Sequence, residues 1–345
     1  MLNLVIAVLG ISLVVVVHEA GHYFAARASG IRVTRFSLGF GPALLKFQPN
    51  GSPTVFQICA VPFLAYVTIA GMNPEEEVAA GDDGLYSKKS LPARTLTIFG
   101  GPLANYLFAS IVVFGLALGG WREDAPSSPL VVANVERNSA ASGAGLRVGD
   151  VVLEANGRRV ADVSDLTAII QSRALKPTTV LVERDGRPLP PLTLVPQSRD
   201  GRGVIGVWPK VATVYTPLSL RDAAELSVVV PYRLTIANLA GMLDLVSRGS
   251  TEGITGPVGM SKMVAAEAGA GVYAFVSALM YISVALGFFN LLPLPFLDGG
   301  RLMFLIYEAV TRRRPKERLE ALVHAVGSLF LLALIALVTL RDVLG

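Results

Sequence analysis

Apolar residues are concentrated in four long runs that more polar segments separate. The runs cover residues 2–27, 96–120, 272–306 and 319–340. A helix rises about 1.5 Å per residue, so each run is long enough to cross a hydrocarbon core of about 30 Å. The pattern predicts a polytopic α-helical membrane protein with about four transmembrane helices.

Composition agrees with a membrane protein, since 52% of the 345 residues are hydrophobic and only 16% are charged. The single cysteine, Cys59, excludes an intrachain disulfide. The net charge of +4 is not accompanied by a nucleic-acid-binding motif, so we expect the lipid bilayer, and no nucleic acid, as a partner.

Basic residues predict the orientation of the chain, because cytoplasmic loops of membrane proteins are rich in Lys and Arg. Such residues follow the first and third runs: Arg32, Arg35, Lys46, Lys88 and Lys89, and then Arg312, Arg313, Arg314, Lys316 and Arg318. Both chain ends and the segment between the second and third runs are therefore predicted to lie outside the cytoplasm.

The outer segment contains a predicted α+β domain over residues 127–210. Short Val/Leu/Ile-rich runs alternate there with the turns Asn156-Gly157 and Asp185-Gly186, around a predicted helix at 164–172. A linker region, 211–270, follows. Its part 219–248 is amphipathic and is expected on the membrane surface or beside the helical bundle.

Three ionisable residues stand inside the first apolar run, in the pattern His18-Glu19-x-x-His22. On a helix the two histidines share one face and can hold one metal ion, while Glu19 can reach a water on that metal. His18 lies about 24 Å from the start of the run, near the cytoplasmic side. The alternatives are a chance match and a signal peptide, although no basic residue precedes Leu2.

A catalytic zinc usually has three protein ligands, and Asp298 is the best third candidate. It lies at nearly the depth of His18, after Pro293 and Pro295, which should end the helix and leave the chain extended. The alternatives are His324 as the ligand, or Asp298 as an ordinary helix cap behind a proline kink.

The motifs together resemble the bacterial site-2 proteases, which are intramembrane zinc metalloproteases. They include His18-Glu19-x-x-His22, Asn290-x-x-Pro293-x-Pro295-x-Leu297-Asp298-Gly299, Gly39-Phe40-Gly41, Gly101-Pro102-x-x-Asn105, Gly256-Pro257-Val258-Gly259 and a single PDZ-like insert. The resemblance covers nearly the whole chain. It divides the chain into a first membrane half, 1–120, the PDZ-like domain, the linker region and a second membrane half, 271–345.

The resemblance implies a role for each residue of the site. His18, His22 and Asp298 would bind Zn²⁺, and Glu19 would act as the general base. Asn290 would bond the substrate backbone or a developing oxyanion; the alternative is a polar helix end that satisfies its own backbone.

The β-rich stretches 31–47 and 54–68, joined at Asn50-Gly51, predict a β-hairpin region. The resemblance places this hairpin in the membrane, where its edge would present substrate; the alternative is a plain cytosolic hairpin. The predicted substrate-binding residues are Gly39, Phe40, Gly41, Pro293 and Pro295. In the PDZ-like insert, Ser139 replaces the usual proline, so both peptide binding and a steric role remain open for that domain.

We therefore expect a zinc metalloendopeptidase of the bacterial cytoplasmic membrane. Its substrates would be membrane-spanning segments of single-pass proteins that another protease has already trimmed, such as anti-sigma factors or remnant signal peptides. The rival functions are a non-catalytic membrane scaffold that binds partners through its PDZ-like domain, and a zinc transporter.

Overall fold

The chain divides into two compact units. The computed structural model describes residues 1–72, 82–126, 129–199, 201–248 and 256–344. One unit combines Met1–Leu118 with Ser219–Gly345, and the other is Gly119–Leu218. The predicted start of the PDZ-like domain, residue 127, lies outside the described residues.

Helices make up most of the first unit and strands most of the second. The helices of the described part are α1 (Leu2–Ala28), α2 (Leu91–Gly120), α3 (Ala140–Gly143), α4 (Val163–Gln171), α5 (Leu220–Arg248), α6 (Pro257–Ala270), α7 (Val272–Asn290), α8 (Asp298–Thr311) and α9 (Glu317–Leu344). The strands are β1 (Val33–Phe47), β2 (Val55–Ile69), β3 (Trp121–Pro126), β4 (Leu130–Val135), β5 (Val151–Ala155), β6 (Arg158–Arg159), β7 (Thr178–Arg184), β8 (Arg187–Pro188), β9 (Leu192–Leu194), β10 (Gln197–Arg199), β11 (Arg202–Val204), β12 (Val207–Pro209) and β13 (Val211–Thr216).

Five helices in the described residues are long and apolar enough to cross a membrane: α1, α2, α5, α7 and α9. The sequence predicted about four. The additional helix is α5, whose charged residues, including Arg233 near its middle, gave it an amphipathic appearance. The hydroxyl of Thr235 lies 2.9 Å from the hydroxyl of Tyr106. Thr235 is near the middle of α5, and Tyr106 is near the middle of α2. Helix α5 therefore lies beside α2.

The third predicted apolar run, 272–306, is two helices rather than one. Helix α7 ends at Asn290, and α8 begins at Asp298. The proline-containing segment 291–297 separates them, because proline lacks the N–H that a continued helix needs.

Part of the predicted linker region belongs to the helical bundle. Helix α6 is only 14 residues long, yet it packs along α1. Its Val264 is buried in one cluster with Ala7, Ile11, Val14 and Leu279. At the other end of the region, β13 pairs with β3 inside the second unit. These segments are thus folded parts of the two units.

Strands β1 and β2 form an arrangement that is more complex than the predicted hairpin. Residues 33–38 of β1 pair with residues 65–69 of β2 on one side and with residues 55–59 on the other, so that Phe36 has a partner on each. Residues 40–47 pair on the far side of 55–59. The order across the sheet is 40–47, 55–59, 33–38, 65–69, and 65–69 is an outer strand.

The Gly39-Phe40-Gly41 motif makes this order possible. Gly39 and Gly41 have φ angles of +82° and +91°, which residues with a side chain rarely adopt. They bend β1 between its two halves. The motif is therefore a structural requirement of the sheet.

The second unit contains a sheet in the order β12-β4-β5-β7-β8, with β6 beside β5 and β9 beside β7. Helix α4 lies where the sequence predicted it and buries Leu166 and Ile170 against the sheet residues Leu130 and Val152. The predicted turns close tight hairpins, since all their residues have positive φ: Asn156, Gly157, Asp185 and Gly186.

One buried carboxylate stabilises the second unit. Asp150 has no exposed side-chain surface and accepts hydrogen bonds from Arg184 at 2.6 and 2.8 Å and from the Arg147 N–H at 2.8 Å. Burial by itself would raise the pKa of Asp150, but the bonds from Arg184 and Arg147 hold this pKa below its usual range. The carboxylate therefore stays ionised in the folded domain.

Helices α1 and α2 touch through two glycines. A Cβ atom on Gly100 would lie 2.6 Å from the Gly21 carbonyl oxygen, and a Cβ on Gly21 would overlap the Gly100 carbonyl. Neither position accommodates a methyl group. Since His22 follows Gly21 directly, this contact also fixes the position of the metal-binding face of α1 against α2.

We predict that Gly100→Ala destabilises the protein by about 1–3 kcal/mol, because the added methyl group forces the two backbones apart. The matched control is Gly115→Ala on the same helix, where a Cβ meets nothing within 4 Å. The measurement is the melting temperature of the purified protein in detergent. Equal melting temperatures for the two variants would contradict the close approach.

Candidate metal centre and active site

Two elements bring three potential metal ligands together. His18 and His22 lie one turn apart on α1, and Asp298 is the first residue of α8. The Nε2 atoms of the histidines are 3.2 Å apart, and each is 3.2 Å from Oδ2 of Asp298. Both histidines are buried, with 6% of each residue exposed. Among the described residues, these three form a cluster that can hold a metal ion.

The geometry of the three atoms fits a tetrahedral metal. Ligand atoms about 2.0–2.1 Å from a zinc ion stand about 3.3 Å apart in a tetrahedron. The three measured separations of 3.2 Å agree with this value. Oδ2 of Asp298 is buried and has no hydrogen-bond partner in the described structure. A buried carboxylate oxygen needs a partner, and a cation held by all three atoms would supply it.

The imidazole of His22 is held by α2 on two sides. Its Nδ1 lies 2.9 Å from the carbonyl oxygen of Thr97, which can only accept a hydrogen bond. Nδ1 therefore carries the proton, and the lone pair of Nε2 is free for a metal. Gly101 lies against the ring, because a Cβ at this position would overlap Nε2 and Cε1 of His22.

A compact turn places Asp298. The sequence predicted that residues 291–297 run extended, and this prediction was wrong. The N–H of Leu294 donates to Leu292 at 2.7 Å, and that of Leu297 donates to Leu294 at 3.1 Å, so the segment folds into tight turns. Gly299 and Gly300 permit this, since a Cβ on either would overlap the carbonyl groups of the turn.

The candidate base, Glu19, lies between the metal ligands and the sheet. Its Oε2 accepts a hydrogen bond of 3.0 Å from the backbone N–H of Val67, in the outer segment 65–69 of β2. The edge of the sheet therefore lies directly beside the candidate catalytic carboxylate. This proximity could not be predicted from the sequence, because no periodicity reports which strand lies outermost.

Other predicted residues lie outside the ligand cluster. The Asn290 amide donates to the Leu286 carbonyl of its own helix at 3.0 Å, so its role toward substrate stays a prediction. Phe40 contacts the ring of Tyr66. Tyr66 precedes Val67, whose N–H binds Glu19, so the Gly39-Phe40-Gly41 motif lies near the site but is separated from Glu19 by Tyr66 and Val67. Pro293 and Pro295 lie in the turn that precedes Asp298, and their binding of substrate also stays a prediction.

The alternative metal ligand, His324, is elsewhere in the helical unit. Its ring packs against Phe304, with 5.7 Å between ring centroids.

The sequence predicted no role for three residues that contact the histidines: Asn105, Gly101 and Thr97. The signal that could have found Asn105 is an amide inside an apolar span, four residues after Gly101.

Comparisons with solved structures match part of this chain. The PDZ domain of an SdrC-like protein from Listeria monocytogenes matches 24% of this chain and 88% of its own length, at 15% identity and a TM-score of 0.22. The PDZ domain of HtrA3 matches 28% of this chain and 93% of its own length, at 18% identity and a TM-score of 0.16.

Comparisons with known sequences concern the whole chain. A protein of Synechocystis sp. that carries the name of a zinc metalloprotease is 33% identical over 99% of this chain and 94% of its own length. One from Rickettsia conorii with the same kind of name is 28% identical over 99% of both chains. The profile of peptidase family M50 matches residues 6–334. The chain therefore belongs to peptidase family M50, the site-2 protease family that its motifs resemble.

Proposed function

We propose that this protein is an intramembrane zinc endopeptidase that hydrolyses peptide bonds in membrane-spanning segments. The observation that carries the proposal is the convergence of His18, His22 and Asp298 beside Glu19. Helix α1, which supplies three of these residues, is apolar enough to span a membrane. Ionisable groups are costly in such a helix, so a cluster of them indicates function.

Each residue of the cluster has a role in peptide hydrolysis. His18, His22 and Asp298 would hold zinc, which when bound polarises the scissile carbonyl and acidifies a water molecule. Glu19 takes a proton from the attacking water and delivers it to the leaving amine. Its hydrogen bond to Val67 holds the carboxylate in place for both transfers.

The outer strand 65–69 is the surface that best suits an unwound substrate. A strand at the edge of a sheet has unpaired N–H and C=O groups that can bond an extended peptide. Because the Val67 N–H reaches Glu19, a peptide added along this strand would pass the candidate base. A helical substrate has its carbonyl groups occupied, so it must unwind before it can bind in this way.

The proposed substrates are single-pass membrane proteins that another protease has trimmed, such as anti-sigma factors or remnant signal peptides. We place the enzyme in the bacterial cytoplasmic membrane, with both chain ends and the PDZ-like domain outside and the metal centre near the cytoplasmic side. Because α5 is an added candidate span, this orientation requires α6 to return the chain to the outer side before α7, and the end of α6 at Gly269 lies beside Asn3, near the start of α1. The arrangement of basic residues supports this orientation.

The two rival functions fit the geometry less well. A scaffold would have no use for three metal ligands and a carboxylate base in one cluster. A zinc transporter would need several metal positions along a path, whereas the described residues contain one such cluster.

We predict about one zinc ion per chain, and Asp298→Ala should weaken zinc binding strongly, because a two-histidine site is incomplete. The measurement is metal content after dialysis against a chelator. His324→Ala is the matched control, since His324 lies apart from the cluster, and it should retain the metal. Full, tightly held zinc in Asp298→Ala would disprove the ligand assignment.

We predict that Glu19→Gln keeps zinc and the fold but lowers peptide hydrolysis by a factor of about 10²–10⁴, because the amide cannot accept the proton of the water. The measurement is cleavage of a model transmembrane substrate by purified protein, with and without a zinc chelator. Cleavage by Glu19→Gln at the wild-type rate would exclude Glu19 as the base. Cleavage that a chelator leaves unchanged would exclude the proposed chemistry.

Cleavage should also depend on how easily the substrate helix unwinds. Glycine is about 1 kcal/mol less favourable than alanine or leucine inside a helix, so replacing a central Leu of the substrate by Gly should raise the cleavage rate several-fold. The same replacement outside the membrane-spanning segment is the control. Equal rates across the series would exclude unwinding of the substrate helix as the rate-limiting step.

A further inference from the structure

Asn105 is a buried polar residue beside one of the candidate metal ligands. It lies on α2, within a candidate membrane span, and none of its surface is exposed. A buried polar side chain in an apolar helix is costly unless it is paired with another polar group. One end of its amide lies 3.3 Å from Nδ1 of His18, and the other end has no hydrogen-bond partner among the described residues.

The protonation of His18 decides which end of the amide faces the ring. A neutral imidazole carries one proton, on either Nδ1 or Nε2. Nε2 of His18 points at Nε2 of His22 and Oδ2 of Asp298, the atoms that would surround zinc. A metal requires the lone pair of Nε2, so the proton must be on Nδ1. Nδ1 is then a donor, and its neighbour has to be an acceptor.

The amide of Asn105 meets this requirement through its oxygen. The oxygen and nitrogen of an amide exchange places on a 180° rotation that moves no other group. In either orientation one end of the Asn105 amide is unpaired, so His18 determines the choice. With Oδ1 toward His18, the ring donates from Nδ1, as the ring of His22 does to the Thr97 carbonyl at 2.9 Å. Both histidines then have the same tautomer.

We propose that Asn105 is a positioning residue, whose amide oxygen accepts a hydrogen bond from Nδ1–H of His18 and thereby presents Nε2 of His18 to zinc. The proposal rests on the proposed function, because it assumes that His18 is a zinc ligand. Partners of this kind fix the orientation of a metal-binding histidine and increase its basicity.

The surroundings of Asn105 hold its side chain in place. Its backbone carbonyl accepts a hydrogen bond of 3.0 Å from the buried hydroxyl of Ser283 on α7. Its Cβ lies 3.3 Å from the position that a Cβ would take on Gly287, one turn further along α7. Asn105 is thus fixed between α1 and α7 and has little freedom to turn away from His18.

The test compares zinc affinities of the full-length protein in detergent, measured by competition with a chromophoric chelator and without substrate. Asn105→Leu removes the acceptor and should weaken zinc binding about 10- to 100-fold. Asn105→Asp keeps an acceptor of similar size and should stay within about threefold of the wild type, since carboxylates commonly accept from metal-binding histidines. Thr235→Val is the matched control, because it removes a hydrogen bond to Tyr106, the next residue on α2, without touching Asn105 or His18, and its zinc affinity should equal that of the wild type.

The aspartate variant decides the matter even if Asn105→Leu fails to fold. Wild-type affinity in Asn105→Asp supports an amide that accepts, whereas a loss of 10-fold or more would show that the amide donates to His18 and overturn the proposal. Wild-type affinity in a folded Asn105→Leu would overturn it as well. Zinc affinity is measured without substrate, so failure of the wild-type protein to cleave peptides would contradict the proposed protease activity alone.

Discussion

Polar groups inside an apolar helical bundle must find partners within the protein, and the structure of the helical unit follows from this constraint. Water cannot compensate a buried imidazole or carboxylate there, so each has a protein neighbour. His22 has the Thr97 carbonyl, His18 has the Asn105 amide, and Glu19 has the Val67 N–H. Three separate elements, α1, α2 and β2, must therefore meet within a few ångströms. The oxygen of Asp298 that remains without a hydrogen bond marks the position where a metal completes the set.

Glycines allow these elements to come so close. Gly21 and Gly100 let two backbones touch, Gly101 makes room for the His22 ring, and Gly299 and Gly300 let a turn fold over the start of α8. At each position a methyl group would overlap a neighbouring carbonyl or, at Gly101, the His22 ring. The positions of the metal ligands thus depend on these glycines as much as on the ligands themselves, because a larger residue at any of these positions would move a ligand.

The sequence predicted the parts of this structure that depend on local patterns. The spacing of His18 and His22, the tight hairpin turns and helix α4 all follow from periodicity or turn chemistry within a few residues. The estimated depths of His18 and Asp298 in their apolar runs were enough to predict that the two residues lie close together. The order of the four sheet segments could not be predicted, because it depends on contacts between residues far apart in the chain. Helix α6 is too short to be predicted as a membrane span, and the charged residues of α5 led to the prediction of an amphipathic segment there. The contact between Asn105 and His18 could not be predicted either, because an isolated amide in an apolar run does not indicate which helix it faces.

The ligands come from opposite ends of the chain, and this has a consequence for biosynthesis. His18 and His22 are made with α1, while Asp298 arrives with α8, 280 residues after His18. At typical rates of about 5–20 residues per second, an interval of many seconds separates them. During this time a nascent chain has the candidate base and two ligands inserted beside other membrane proteins, but it lacks the third. Chain order by itself thus delays the assembly of the centre until α8 has been made.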